Sequence, residues 1–259
     1  MWYRFINFTK KIGFAVNDHK EKIKDLNERF RSSEAQEIIT FLAKDYPGKV
    51  TFSTSLGAED QVITEMLSKI TPPVRIFTLD TGRLFPETYD LLSITKEKYG
   101  VNIEVYFPDS ARVEEMVNKR GINLFYDSVE NRKLCCRIRK VMPLRRALSG
   151  MDFWISGLRK EQSPDRAAIS LFEWDEEFSV IKAQPLADWS SEQVWNYIRE
   201  RKVPYNTLHD RGFPSIGCQP CTRALLPGED FRAGRWWWET SGKKECGIHQ
   251  GKNDKYEYD

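Results

Sequence analysis

The sequence of 259 residues contains no apolar run close to the roughly 18 residues that a membrane-spanning helix needs. It also has almost no net charge, because 40 basic and 38 acidic side chains leave +2 at neutral pH. Because the protein lacks a strong positive electrostatic field, extensive binding of nucleic acid around it is not favoured. We therefore expect neither a membrane protein nor a nucleic-acid-binding protein, and any anion site must be local.

Cysteines are few and odd in number, and two of the five, Cys135 and Cys136, are adjacent. This is a poor basis for a disulfide framework. The apolar start of the chain precedes Lys10 and Lys11, which is the wrong order for a secretory signal. We therefore expect a cytoplasmic protein with reduced thiols, and an arm at residues 1–13 that packs on the domain or on a neighbouring subunit.

Apolar, β-branched runs alternate with amphipathic helical patterns along most of the chain, which is typical of βαβ units. The sequence predicts an α/β fold with an open, mainly parallel five-stranded sheet and helices on both faces. The predicted strands cover residues 50–55, 74–80, 103–108, 153–158 and 180–186. Glycine and proline break the pattern beyond residue 201, so we expect an arm and core at residues 1–201 and a loop-rich, mobile segment, not an independent domain, at residues 202–259.

Polar turns follow three of the predicted strands, and ligands of parallel sheets bind at such strand ends. The first turn, with Ser55, Gly57 and Asp60, offers hydroxyls and a glycine that could hold a phosphate. It lacks the Gly-Lys-Ser/Thr ending of a Walker A loop, and an ordinary capped turn is the alternative. The other two turns are Leu79-Asp80-Thr81-Gly82 and Ser156-Gly157-Leu158-Arg159. Together they predict a nucleotide-sized cleft.

Four cysteines are candidates for a metal centre. Cys218 and Cys221 form a C-x-x-C turn that can present two thiolates, and Cys135 and Cys136 can supply two more. An adjacent pair makes a simple tetrahedral zinc site awkward. From spacing alone, an iron-sulfur cluster, zinc, buried thiols and a redox disulfide between Cys218 and Cys221 all remain open.

The fifth cysteine, Cys246, follows Lys243 and Lys244, and nearby cations favour the nucleophilic thiolate. A spare surface cysteine is the alternative. Several cations precede it along the chain and form either a solvated basic face or a site for an anionic substrate. They are Lys140, Arg145, Arg146, Arg159, Arg166, Arg232 and Arg235.

Seven short motifs between residues 50 and 249 occur together in one known family. They are SLGAED at 55–60, LDTG at 79–82, CCRIRK at 135–140, SGLR at 156–159, PSIGCQPC at 214–221, AGRW at 233–236 and ECGIH at 245–249. In this combination the chain resembles the assimilatory adenylyl-sulfate reductases, relatives of the phosphoadenylyl-sulfate reductases. The resemblance implies an adenine-nucleotide α-hydrolase-like fold and a [4Fe-4S] cluster on Cys135, Cys136, Cys218 and Cys221.

The same resemblance implies a reaction in sulfate assimilation. Cys246 would attack the sulfur of adenylyl sulfate, expel AMP and become an S-sulfocysteine, and thioredoxin or glutaredoxin would then release sulfite. Lys140 would lie between cluster and substrate, Arg232 and Arg235 would contact anionic groups, and Leu79 and Gly157 would lie near the adenine. The other candidate substrate-binding residues are Ser55, Gly57, Asp60, Thr81, Arg159, Arg166 and His249. A homo-oligomer is the usual expectation.

Among substrates we favour adenylyl sulfate, because family members with four cysteines mostly use it and because Glu59 and Asp60 would disfavour a further phosphate. The 3'-phosphorylated nucleotide, or both, is the alternative. Two other classes are also open. An ATP pyrophosphatase or adenylyltransferase would carry Ser-Gly-Gly-x-Asp-Ser after the first strand, and a four-cysteine zinc-binding module would need no nucleotide chemistry.

Overall fold

A computed structural model describes residues 19–239 and contains one six-stranded sheet in the order β3-β2-β1-β4-β6-β5. The strands are β1 Val50–Ser53, β2 Arg75–Leu79, β3 Ile103–Tyr106, β4 Phe153–Ile155, β5 Phe172–Asp175 and β6 Val180–Ala183. The five expected strands are present and parallel to one another, whereas β5 pairs antiparallel to β6. The α/β fold with a mainly parallel sheet is confirmed, with one more strand than the five expected.

The sixth strand was missed because its sequence, FEWD, carries two acidic residues and does not read as a buried run. The structure neutralises these charges across the strand pair. Lys182 of β6 is buried, and its Nζ lies 3.0 Å from Asp175 Oδ2 and 3.8 Å from Glu173 Oε1. An edge strand can hold such charges when the neighbouring strand supplies the partner.

Helices cover both faces of the sheet. They are α1 at residues 19–29, α2 Ala35–Asp45, α3 Ala58–Leu67, α4 Pro86–Tyr99, α5 Ser110–Arg120, α6 Val129–Cys136, α7 Met142–Leu148 and α8 Ser191–Arg201. Alternate strand residues point to opposite faces, so Phe52 and Phe153 pack with α2, α3 and α8, while Phe77 and Trp154 pack with α7. No helix within residues 19–239 is long and apolar enough to cross a bilayer.

A smaller apolar cluster lies beside the sheet and joins distant parts of the chain. Cys218, Cys221 and Trp236 pack there with Met116 and Phe125. The division of the chain at residue 201 stays a prediction. The N-terminal arm and the last 20 residues lie outside the described residues.

Candidate active site

The polar turns after β1, β2 and β4 meet at one edge of the sheet and line a single cleft. Six of the residues singled out in the sequence come together there: Ser55, Gly57, Asp60, Leu79, Thr81 and Gly157. They converge because carboxyl ends of parallel strands share an edge. The expected cleft is therefore present.

The turn at residues 55–60 is held in shape by its own carboxylate. Asp60 Oδ2 accepts hydrogen bonds from the Ser55 amide and hydroxyl, each 2.6 Å long, and Leu56 adopts a left-handed φ of 60°. Burial raises the pKa of Asp60 to about 6. An added methyl group on Gly157 would overlap Asp60 Oδ1, so the glycine allows the β4 turn to approach this carboxylate. The two turns form one packed unit.

Arg159 does not line the cleft. Its Nε donates to Glu59 Oε1 at 2.9 Å and its Nη1 to the carbonyl of Trp189 at 3.0 Å, with the side chain fully buried. Glu59 is therefore paired with a cation, and Asp60 already accepts two hydrogen bonds. Because both carboxylates already have partners, they give little reason to expect repulsion of an additional phosphate on the nucleotide.

Cationic side chains also line the cleft, and they suit an anionic ligand. Lys140, Arg166, Arg232 and Arg235 all line it. Arg235 is 5% exposed, and its Nη1 lies 3.3 Å from Ser215 Oγ. Arg232 Nη1 lies 3.5 Å from the same oxygen. One hydroxyl thus orients two guanidinium groups.

Two further residues lining the cleft were not among the candidate site residues predicted from the sequence. Ser156 is buried, and its Oγ makes no hydrogen bond to the protein within residues 19–239. It belongs to the strand-end turn that drew attention to Gly157, so that motif could have indicated it. Gln162 accepts hydrogen bonds from the Arg159 amide at 3.1 Å and from Arg166 Nη1, and no sequence motif marks it.

The four candidate metal-binding cysteines line a second cavity, called here the thiol cavity. All four carry thiols rather than disulfides. Cys135 and Cys136 end α6, and the helix continues through a π-helical turn at Arg137–Val141 into α7. Such turns widen a helix locally and are frequent at functional sites.

The turn after β2 ties the two cysteine segments together. Thr81 Oγ1 lies 3.3 Å from Cys218 Sγ, and the Thr81 carbonyl accepts from Arg139 Nη1 at 2.6 Å. The next residue but one, Arg83, accepts from the Gln219 amide at 2.8 Å. Residues separated by more than 130 positions in the sequence therefore close one cavity.

The thiol cavity carries four sulfur donors, a set that fits an iron-sulfur cluster or a zinc ion. Burial raises the pKa of Cys135 and raises that of Cys221 to about 12, and the charge of a bound metal would favour their thiolate forms. A tetrahedral zinc site would bring four sulfurs to about 2.3 Å from one point. No three His, Cys, Asp or Glu side chains among residues 19–239 are placed to hold one ion. A cluster instead gives each thiolate its own iron.

The cleft and the thiol cavity share a wall. Lys140, Cys218 and Arg235 line both. The predicted nucleophile Cys246 and the predicted ligand His249 lie outside the described residues. The geometry therefore supports a site in which an anion binds next to the four thiols.

Comparison with known proteins gives the same reading. Residues 49–224 match the family model described as the phosphoadenosine phosphosulfate reductase domain. The chain is 50% identical over 220 residues to the adenosine 5'-phosphosulfate reductase of Allochromatium vinosum, which covers 85% of this chain and 86% of that protein. The crystal structure of phosphoadenylyl-sulfate reductase from Candida auris, in a phosphate complex, has a TM-score of 0.69 at 33% identity and covers 78% of this chain and 97% of that one. Yeast FAD synthetase, with a TM-score of 0.50 at 16% identity over 81% of this chain and 68% of that one, is similar in fold alone.

Proposed function

The chain belongs to the family of adenosine 5'-phosphosulfate reductases, and from this premise we propose that it reduces adenosine 5'-phosphosulfate (APS) to sulfite and AMP in sulfate assimilation. One observation carries the proposal: a cleft at the strand ends and a cavity lined by four thiols share Lys140, Cys218 and Arg235. A nucleotide bound in the cleft would place its anionic end beside two of these residues, the cations Lys140 and Arg235.

The proposed chemistry begins with the Cys246 thiolate, which attacks the sulfur of APS. The bond from this sulfur to the bridging phosphate oxygen breaks, AMP leaves, and Cys246 becomes an S-sulfocysteine. A thiolate of thioredoxin or glutaredoxin then attacks Cys246 Sγ and releases sulfite. The donor's second thiol resolves the mixed disulfide, so the donor is oxidised and Cys246 returns to its thiol.

The described residues supply binding and charge for this reaction. Arg232 and Arg235, oriented by Ser215, face the charge that builds on the leaving phosphate and the sulfonate oxygens. Lys140 adds a cation on the side of the thiol cavity. The packed turns of Ser55 and Gly157 give the nucleotide a preorganised floor.

We propose that the four thiols hold a [4Fe-4S] cluster, which when bound contributes a structural and electrostatic role rather than electrons, because thiol exchange alone completes the reduction. The four-thiol donor set and the adjacent pair of Cys135 and Cys136, which is awkward for a single tetrahedral ion, support the cluster over zinc. Iron with acid-labile sulfide in the purified protein is the expected result, and stoichiometric zinc in a colourless protein would favour a zinc-binding module.

APS remains the preferred substrate over its 3'-phosphorylated form. The support comes from the four-cysteine set and from the name of the Allochromatium vinosum relative, because Glu59 and Asp60 are already bonded. An adenylyltransferase reading is supported by fold likeness alone. Turnover with each nucleotide at equal concentration separates the substrates, and APS is expected to give the higher kcat/KM.

The assembly around this site is also proposed rather than observed. We propose that residues 202–259 form the thiol-bearing loop and catalytic tail of one domain, since Cys218 and Trp236 pack on Phe125. A cytoplasmic homo-oligomer is the proposed state of the protein, and light scattering measures its size.

The covalent step is tested by intact-protein mass after anaerobic incubation of the iron-loaded protein with APS and no reductant. Wild type is expected to gain about 80 Da, the mass of SO3, and Cys246→Ser is expected to gain nothing. An unmodified wild type with bound nucleotide would exclude APS as substrate. If the 3'-phosphorylated nucleotide also gave no adduct, the reductase proposal would be wrong.

A further inference from the structure

The chain turns sharply where it leaves the cleft. Trp236, which follows the cleft residue Arg235, is fully buried with a left-handed φ of 43°, a rare conformation for a bulky side chain. Its amide donates to the Cys221 carbonyl at 3.2 Å, and its own carbonyl accepts from the Glu239 amide at 3.0 Å. Residues 236–239 are thus folded back against the thiol cavity.

An ion pair fixes the end of this turn. Arg132 Nε and Nη2 donate to the two carboxylate oxygens of Glu239 at 2.7 and 3.2 Å, and the side chains are 3% and 6% exposed. The Arg132 guanidinium also lies 4.7 Å from the centre of the Trp236 ring. This contact joins the chain just before the Cys246 segment to the body of the protein.

The position of Arg132 connects that contact to the thiols. Arg132 lies on α6, three and four residues before Cys135 and Cys136, so the three side chains share one side of the helix. The pair with Glu239 therefore joins the cysteine-bearing helix directly to the segment that leads to Cys246.

A buried ion pair adds little net stability, because the cost of removing both charges from water offsets their attraction. The bidentate geometry does, however, fix the orientation of the Glu239 carboxylate and its distance from the Arg132 guanidinium. Fixing Glu239 matters because Cys246 follows it by only seven residues. Seven extended residues span at most about 25 Å, so the place of Glu239 limits where the thiolate can reach.

We infer that Arg132 and Glu239 are positioning residues for the nucleophile: their ion pair sets the point on α6 from which the segment bearing Cys246 starts. The inference rests on the proposed role of Cys246. Without the pair, the nearest remaining anchor is the Trp238 ring, whose centre lies 4.5 Å from that of Tyr126, eight residues before Cys246. By the length dependence of loop closure, lengthening from seven to eight residues lowers the probability of end contact by only about 1.2-fold. A larger effect means that the pair sets direction as well as chain length.

The test measures the rate of Cys246 sulfonation in single turnover at saturating APS, together with the Kd for AMP and the iron content. Glu239→Gln keeps the shape but removes the charge, and is expected to slow sulfonation at least fivefold with Kd and iron unchanged. Arg132→Lys keeps the charge but loses the paired geometry, and is expected to give an intermediate rate. Glu104→Gln, which removes a carboxylate from the more exposed Arg75 pair between β2 and β3, is the control for loss of a charge outside both cavities, with a rate equal to wild type.

Several outcomes would overturn the inference. If wild type is sulfonated and Glu239→Gln reacts within twofold of it, the pair does not position the nucleophile. If wild type is not sulfonated, the proposed function has failed first. Should Glu239→Gln lose iron, the double variant Arg132→Met, Glu239→Leu leaves no unpaired charge and repeats the measurement. Loss of iron in both variants would mean that the pair supports the thiol cavity instead, contrary to the inference.

Discussion

The nucleotide cleft and the thiol cavity share a wall but are built in different ways. The cleft is built around short turns at the ends of adjacent parallel strands, and the contacts that shape a turn, such as Asp60 with Ser55, span a few residues. The thiol cavity joins segments far apart in the sequence through Arg139, Thr81 and Cys218. The cleft thus depends on the sheet, whereas the cavity depends on hydrogen bonds between distant segments and on the proposed cluster.

The largest expected effect comes from breaking the thiol cavity. Cys221→Ser replaces a buried thiol with a hydroxyl that is a poor ligand for iron, so we expect loss of iron and at least about a 100-fold loss of turnover. If the cleft depends on the sheet alone, the Kd for AMP changes by less than a factor of about three. Iron analysis and calorimetry measure both. A variant that keeps its iron would contradict the proposed ligand set.

The converse experiment breaks the cleft and leaves the cavity. In Gly157→Ala the added methyl group overlaps Asp60 Oδ1 and separates the two turns, so the Kd for AMP is expected to rise by about tenfold with iron unchanged. Unchanged binding in Gly157→Ala would show that the close approach of the turns is unimportant.

A substitution in the wall that the cleft and the thiol cavity share is expected to have a smaller but more specific effect. Lys140 lines both spaces, so Lys140→Ala is expected to lower kcat by about tenfold, to change KM less, and to leave the iron bound. Lys119→Ala, on the exposed surface of α5, serves as the control for removing a lysine. Full activity of Lys140→Ala would defeat the proposed coupling of cavity and substrate.

The sequence predicts the local turns of the cleft better than it predicts contacts between distant residues. The strand-end turns were predictable, because a short polar motif after a β-branched run places its residues at the sheet edge. Arg159 looked like a cleft residue from its position in SGLR, yet it pairs with Glu59, and the sequence does not show which way a side chain turns. The pairing of Arg132 with Glu239 spans 107 positions and could not be predicted from spacing. The charged strand β5 was missed because its counter-ion, Lys182, lies on another strand.

The smallest effect concerns the carboxylate that joins the turns of the cleft. Burial raises the pKa of Asp60 from 3.8 to about 6, so its protonated form stabilises the fold fully below pH 3.8, and this stability is lost as the pH rises through 6. Between about pH 5 and pH 7.5 the free energy of unfolding should fall by about 1 kcal/mol from this group. Asp60→Asn cannot ionise and should lack that component, which urea unfolding at the two pH values measures against wild type. An equal pH dependence in both proteins would mean that the Asp60 pKa is not raised, and that the hydrogen bonds from Ser55 fully offset its burial.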